Sequence, residues 1–253
     1  LVESVSAAVN PATEHLHVFW TDASNDEVRH ASSTDAGETW SSAHVVSPPG
    51  SNAYTSDGTV DDTGHLHAAW NESGSGVVWY ATSADGGQTW SSPVDTGARS
   101  SSGWMPPAIA AHGGVVVVAA QEQYGRGVHV VRSIDHGQSW SPSVNFGGSA
   151  YYEQLSVTPL GRFFVTRDNS VAYSDDGVSW TSTSIGVRCG DVHVVGDNAG
   201  RVHLACRDTN WSDASTIYYA RSVDGGATFQ APVVVATEAD YVRSGWRCIR
   251  RLS

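Results

Sequence analysis

Lysine is absent from this 253-residue chain, so all 14 basic side chains are arginine. Against them stand 26 acidic residues, and the formal net charge is −12. The chain therefore lacks the basic footprint that general nucleic-acid binding or an anionic membrane surface requires. Apolar runs of membrane-spanning length are missing too, which leaves no inserted segment. No signal peptide is visible, and the chain can begin after the removal of one. Helical apolar periodicity and capping boxes are also lacking, which argues against helices. There is no phosphate-binding loop and no Ser–His–Asp set. No cofactor is implied; bound calcium is left open. Only three cysteines occur. Cys189 and Cys206 flank a hairpin turn at Asp197-Asn198, where facing positions on adjacent strands permit a disulfide; three buried thiols are the alternative.

What the chain does have is a repeated eight-residue stretch. Ser83-Ala84-Asp85-Gly86-Gly87-Gln88-Thr89-Trp90 is matched by Ser33 to Trp40 and by Ser133 to Trp140. Tyr173 to Trp180 repeats it with Tyr at the serine position, and Ser222 to Phe229 repeats it with Phe at the end. The aspartates of the five copies are then Asp35, Asp85, Asp135, Asp175 and Asp224, about 50 residues apart, a spacing that signals stacked supersecondary units. Each copy reads as a tight turn between strands. The carboxylate accepts from amides further along, glycine takes the left-handed conformation, and the terminal aromatic wedges into the core.

The pattern S-x-D-x-G-x-T-W resembles the Asp-box, or bacterial neuraminidase repeat. The resemblance implies an all-β fold, a β-propeller of four-stranded antiparallel blades, with the boxes on the face away from the ligand. Along the chain, the second repeat gives strands at Ser56 to Val60, His65 to Trp70, Val77 to Thr82 and Trp90 to Val94. The other repeats follow suit. We expect one domain over 1–253, with blades at about 1–50, 51–100, 101–148, 149–186 and 187–240, and a closing strand at 241–253. Five blades are favoured; a six-bladed ring or a fragment of one is the alternative.

Strand polarity places the blade-to-blade loops and the second-to-third-strand loops opposite the aspartate turns. The second strands end in a recurring pair: Thr21-Asp22, Asn71-Glu72, Gln121-Glu122, Arg167-Asp168 and Arg207-Asp208. The carboxylates read first as a structural device bonding loop amides. The arginines break the symmetry and suit carboxylate recognition. Arg188, Arg247, Trp104, Tyr152, Trp211 and Trp246 join Arg167 and Arg207 as ligand-binding candidates, because aromatic faces beside fixed polar groups suit sugar rings. Packing at the blade seams is the alternative for each aromatic.

Similarity to sialidases implies an arginine triad, a Tyr–Glu nucleophile pair and an aspartate acid/base. Glu153 followed by Gly161-Arg162 and Arg167 resembles the family segment that carries the glutamate and one triad arginine. Arg207 and Arg247 (or Arg243) fit the others by position, and Asp57 or Asp191 the acid/base. Against this, the chain has no Arg-Ile-Pro segment near its start, no complete sixth blade and no evident nucleophilic tyrosine. The function therefore stays open between a secreted, lectin-like carbohydrate-binding module, a sialidase-like glycoside hydrolase and a protein-docking scaffold. Histidines at 15, 17, 65, 67, 193 and 203 invite a metal reading. With no carboxylate or cysteine joining them at ligand spacing, hydrogen bonding within or between blades is expected instead. No metal site is assigned.

Overall fold

A computed structural model describes residues 2–100, 105–121, 127–146, 154–167, 170–208 and 215–238. Every regular element among them is a strand. The first four are β1 (Val2–Val9), β2 (Leu16–Asp22), β3 (Glu27–Ser33) and β4 (His44–Val45). A second set is β5 (Ala53–Val60), β6 (Leu66–Glu72), β7 (Val77–Ser83) and β8 (Val94–Arg99). A third comprises β9 (Ala108–His112), β10 (Val115–Gln121), β11 (Val128–Ser133) and β12 (Val144–Asn145). A fourth holds β13 (Leu155–Val157), β14 (Phe163–Arg167), β15 (Ser170–Ser174) and β16 (Thr181–Ser184). The last is β17 (Cys189–Gly196), β18 (Val202–Asp208), β19 (Ser215–Ser222) and β20 (Val233–Glu238). Each set is one antiparallel sheet in sequential order, an up-and-down blade.

Two compact units contain the blades. Blades one to three lie in the unit spanning Leu1–Gly147, and blades four and five in the unit Gly148–Cys248. In the first unit Ala69, Val78, Tyr80, Ile109, Val116 and Val118 form one buried cluster, and Phe19, Leu66, Ala68 and Trp70 anchor another. In the second, Phe164, Val192, Val194, Val202 and Leu204 pack around Cys189 and Cys206. Central strands are buried on both faces, which is why β10 reads Val-Val-Val-Val-Ala-Ala without alternation.

The aspartate turns close themselves. In the first, the Ser33 hydroxyl donates to Asp35 Oδ1 (2.7 Å) and accepts from the Gly37 amide (2.9 Å). Asp35 also accepts from the Thr39 amide (2.9 Å) and hydroxyl (2.5 Å). The same bonds recur at Asp85, Asp135 and Asp224. The fourth turn corrects the sequence reading. Its aspartate is Asp176, not Asp175: Ser174 donates to Asp176 (2.9 Å), which accepts from the amides of Val178 and Ser179. This turn is one residue shorter, and Tyr173 belongs to the strand. A second correction concerns the fourth strands. Trp90 precedes β8 rather than starting it, and its ring packs edge-on against Phe19 and His30 of the previous blade.

Candidate functional site

Antiparallel order puts the aspartate turns at one end of every blade and the loop after each second strand at the other. At those second-strand ends Asp22 accepts from the Ser24 amide (3.0 Å), and Glu72 accepts from the Ser75 hydroxyl (2.5 Å). These two carboxylates thus organise the loops that follow them, as the recurring pair suggests.

The fifth blade carries the densest described set of candidates. Arg207 stands near the end of β18, paired across the ladder with Gly190, and Cys189 is paired with Asp208. A disulfide joins Cys189 to Cys206, with Cα atoms 5.6 Å apart. The ladder pairs Cys189 with Asp208 rather than with Cys206, so the bridge runs diagonally, not between facing residues; a register shift separates Gly190 from His193. Arg188, exposed, immediately precedes the bridged cysteine. The bridge therefore pins the arginine-bearing end of β17 and β18. Arg167 occupies the corresponding terminal position of β14, and Asp191 lies within β17. Glu153, Trp104, Tyr152, Trp211, Trp246 and Arg247 fall outside the described residues.

Two other candidates have structural duties. Asp57 is buried, and its carboxylate accepts from the amides of Gly58 (3.0 Å) and Ile109 (3.2 Å), tying the second blade to the third. Ser6 does the same one seam earlier, accepting from the Gly58 amide (2.9 Å). Arg162 lies at the aspartate-turn end. It forks onto Asp175 (2.6 and 2.8 Å), donates to the Gly225 carbonyl (2.8 Å) and covers the Tyr173 ring at 4.8 Å. Those contacts line one side of a hollow of about 290 Å³ between blades four and five, together with Thr158, Leu160 and Asp224. Arg162 and Arg167 thus sit at opposite ends of β14.

The histidines mostly bond within blades, as expected. His17 Nδ1 lies 3.0 Å from His30 Nε2, His67 Nδ1 2.6 Å from the Tyr80 hydroxyl, and His203 Nδ1 2.7 Å from the Tyr219 hydroxyl. Burial lowers the pKa of His17 to about 4 and of His30 to about 3, so both are neutral. Sequence spacing missed carboxylate partners, of which one matters most. Asp61, in the turn between β5 and β6, brings Oδ2 to 3.3 Å from His67 Nε2, and His136 of the next blade reaches the same oxygen at 3.5 Å. The expectation that no carboxylate joins the histidines is corrected. Asp61 and His67 lie six residues apart on one hairpin, a spacing the fifth blade repeats at Asp197 and His203, whereas His136, 69 residues further on, is brought in only by the stacking of blades.

No family model and no curated protein matches the chain. Solved structures do. A Hadza microbial sialidase superposes with a TM-score of 0.56 at 18% identity, covering 91% of this chain and 58% of its own. A lectin from Aleuria aurantia in complex with alpha-methyl-L-fucoside gives 0.53 at 13% identity over 92% of this chain and 77% of its own. The chain folds as a β-propeller. A xyloglucanase from Xanthomonas campestris shares the propeller fold at a TM-score of 0.56 and 14% identity, over 91% of this chain and 38% of its own. The propeller described here spans 58% of the sialidase's length. At these identities the likeness is one of fold.

Proposed function

We propose that this propeller binds carbohydrate at the end of the blades opposite the aspartate turns, as a secreted lectin-like module whose five turns are Asp-boxes. The observation that carries the reading is the pinned end of the fifth blade, where Arg188 and Arg207 stand beside the Cys189–Cys206 bridge. At the other end, the turn serines, threonines and aspartates are consumed by bonds to one another. Guanidinium groups on a fixed strand end suit an acidic or hydroxyl-rich sugar, offering bidentate, charge-assisted hydrogen bonds. A disulfide is a bond of oxidising compartments, which supports a place outside the cell.

A glycan array read with purified protein tests this. Binding of one glycan class, weakened at least about tenfold by Arg207→Ala, is the expected outcome, since a charge-assisted bond contributes about 1.5–3 kcal/mol. The second reading is a sialidase-like hydrolase using Glu153, Asp191 and arginines 167, 207 and 247. It is favoured by the fold shared with a sialidase, while Asp57, held by two backbone amides, is withdrawn as its acid/base. Turnover of a fluorogenic sialoside that Glu153→Gln abolishes would replace the lectin reading with this one. Absence of both binding and turnover would leave a protein-docking scaffold.

A further inference from the structure

Three buried polar atoms without hydrogen-bond partners converge in the first unit: Asp61 Oδ2, His67 Nε2 and His136 Nδ1. All lie within 4.8 Å of one another. Each parent side chain is fixed by its other atoms or by its turn. Asp61 Oδ1 accepts from the Thr63 amide, the Thr63 hydroxyl and the His65 amide, which leaves Oδ2 turned inward. The Tyr80 hydroxyl lies 2.9 Å from the His136 carbonyl and 2.6 Å from His67 Nδ1. His67 Nε2 faces a carboxylate oxygen 3.3 Å away, where both side chains are 0% exposed. A carboxylate oxygen and two imidazole nitrogens converging at one buried point form a donor set for a cation.

We propose that Asp61, His67 and His136 bind one zinc ion at the aspartate-turn end of the seam between the second and third blades. Ligand atoms about 2.0–2.1 Å from a tetrahedral zinc lie about 3.3–3.4 Å from one another. The two separations from Asp61 Oδ2 are 3.3 and 3.5 Å. Two imidazoles and one carboxylate suit zinc, whereas magnesium and calcium select oxygen donors. The Tyr80 hydroxyl on His67 Nδ1 is the outer partner that orients a metal-binding imidazole. His136, 32% exposed, leaves the fourth position to water from solvent.

Comparison with the other blades strengthens the assignment. The fifth blade repeats the carboxylate, histidine and tyrosine as Asp197, His203 and Tyr219, with Asp197 Oδ2 3.5 Å from His203 Nε2. There, however, Asp197 Oδ2 already takes a 2.6 Å bond from Arg201. The second blade has no arginine at that place and has His136 instead. His136 holds a left-handed φ of 53°, at a turn position filled elsewhere by Ala36, Gly86 and Gly225. Ala36 shares the left-handed conformation, so what sets His136 apart is an imidazole where those turns carry no metal-binding side chain.

The test is calorimetric titration of zinc chloride into the full chain after chelator treatment and dialysis. One zinc per chain is expected, with an upward shift of the thermal midpoint. His136→Asn keeps a residue that tolerates the left-handed turn and should weaken binding by roughly 100-fold or more while leaving the circular dichroism unchanged, given that losing even an outer partner costs 10–100-fold. Asp61→Asn should do the same. If that buried change prevents folding, His136→Asn decides alone. Cobalt in place of zinc should give the intense visible bands of a tetrahedral site, absent in His136→Asn. Failure of the folded wild type to take up zinc, or equal uptake by His136→Asn, overturns the proposal.

Discussion

Gly137 lies where a Cβ would come within 1.9 Å of the Tyr80 ring, on a backbone with φ of 87°. Gly87 stands in the same relation to His30, and Gly226 to Phe164. The ring from one blade thus rests on the bare backbone of the next turn. Gly137→Ala adds left-handed strain to a steric clash, and should cost about 3 kcal/mol in urea unfolding. The shared glycine of the repeat, visible in sequence as a turn residue, serves packing as much as conformation. That second duty comes from a neighbour about 60 residues away, which no local pattern displays.

At the scale of the turn, the fourth repeat shows what sequence could and could not give. Asp175 and Asp176 are adjacent, and matching the terminal tryptophan selects Asp175. The hydroxyl decides otherwise: Ser174 is the side chain that can donate to the carboxylate and accept from the Gly177 amide. Asp176→Asn should therefore cost about 2 kcal/mol, as a charged acceptor is lost. Asp175→Asn, which removes a pair whose carboxylate is largely exposed, should cost under about 1 kcal/mol. Thermal or urea melts of the two variants compare them directly. Strand runs were legible because their apolar residues recur, whereas the loop-end candidates were legible only as residue types, since their grouping depends on blade contacts. For the fifth blade, reduction of the bridge that spans a sequence separation of 17 should destabilise its unit by about 3 kcal/mol. The same loss is expected for Cys206→Ser without reductant.

Over the whole molecule, titration below neutral pH is spread across buried imidazoles and turn aspartates whose folded pKa values are depressed. His17 and His30 are held near 4 and 3 by burial. Their stability is complete above the unfolded value of 6.5 and fades as pH falls toward 4 and 3. Hydrogen bonds hold Asp35, Asp135, Asp176 and Asp224 near 2, led by Thr39, Ser133, the Ser179 amide and Ser222 respectively. Their contribution is present above 3.8 and is lost between 3.8 and about 2. Urea midpoints measured from pH 7 to 2 should thus decline in two stages, the first beginning near 6.5. A midpoint flat from pH 7 to 4 would show that the buried imidazoles do not titrate with folding.

The ring-on-glycine joint has an engineering corollary. Because the second blade carries both halves of it, Tyr80 as the knob and Gly87 as the socket, consecutive copies of residues 51–100 would mate by the same joint. A gene of tandem identical modules is thereby a natural starting point for an artificial array, with the opposite loops free to be diversified.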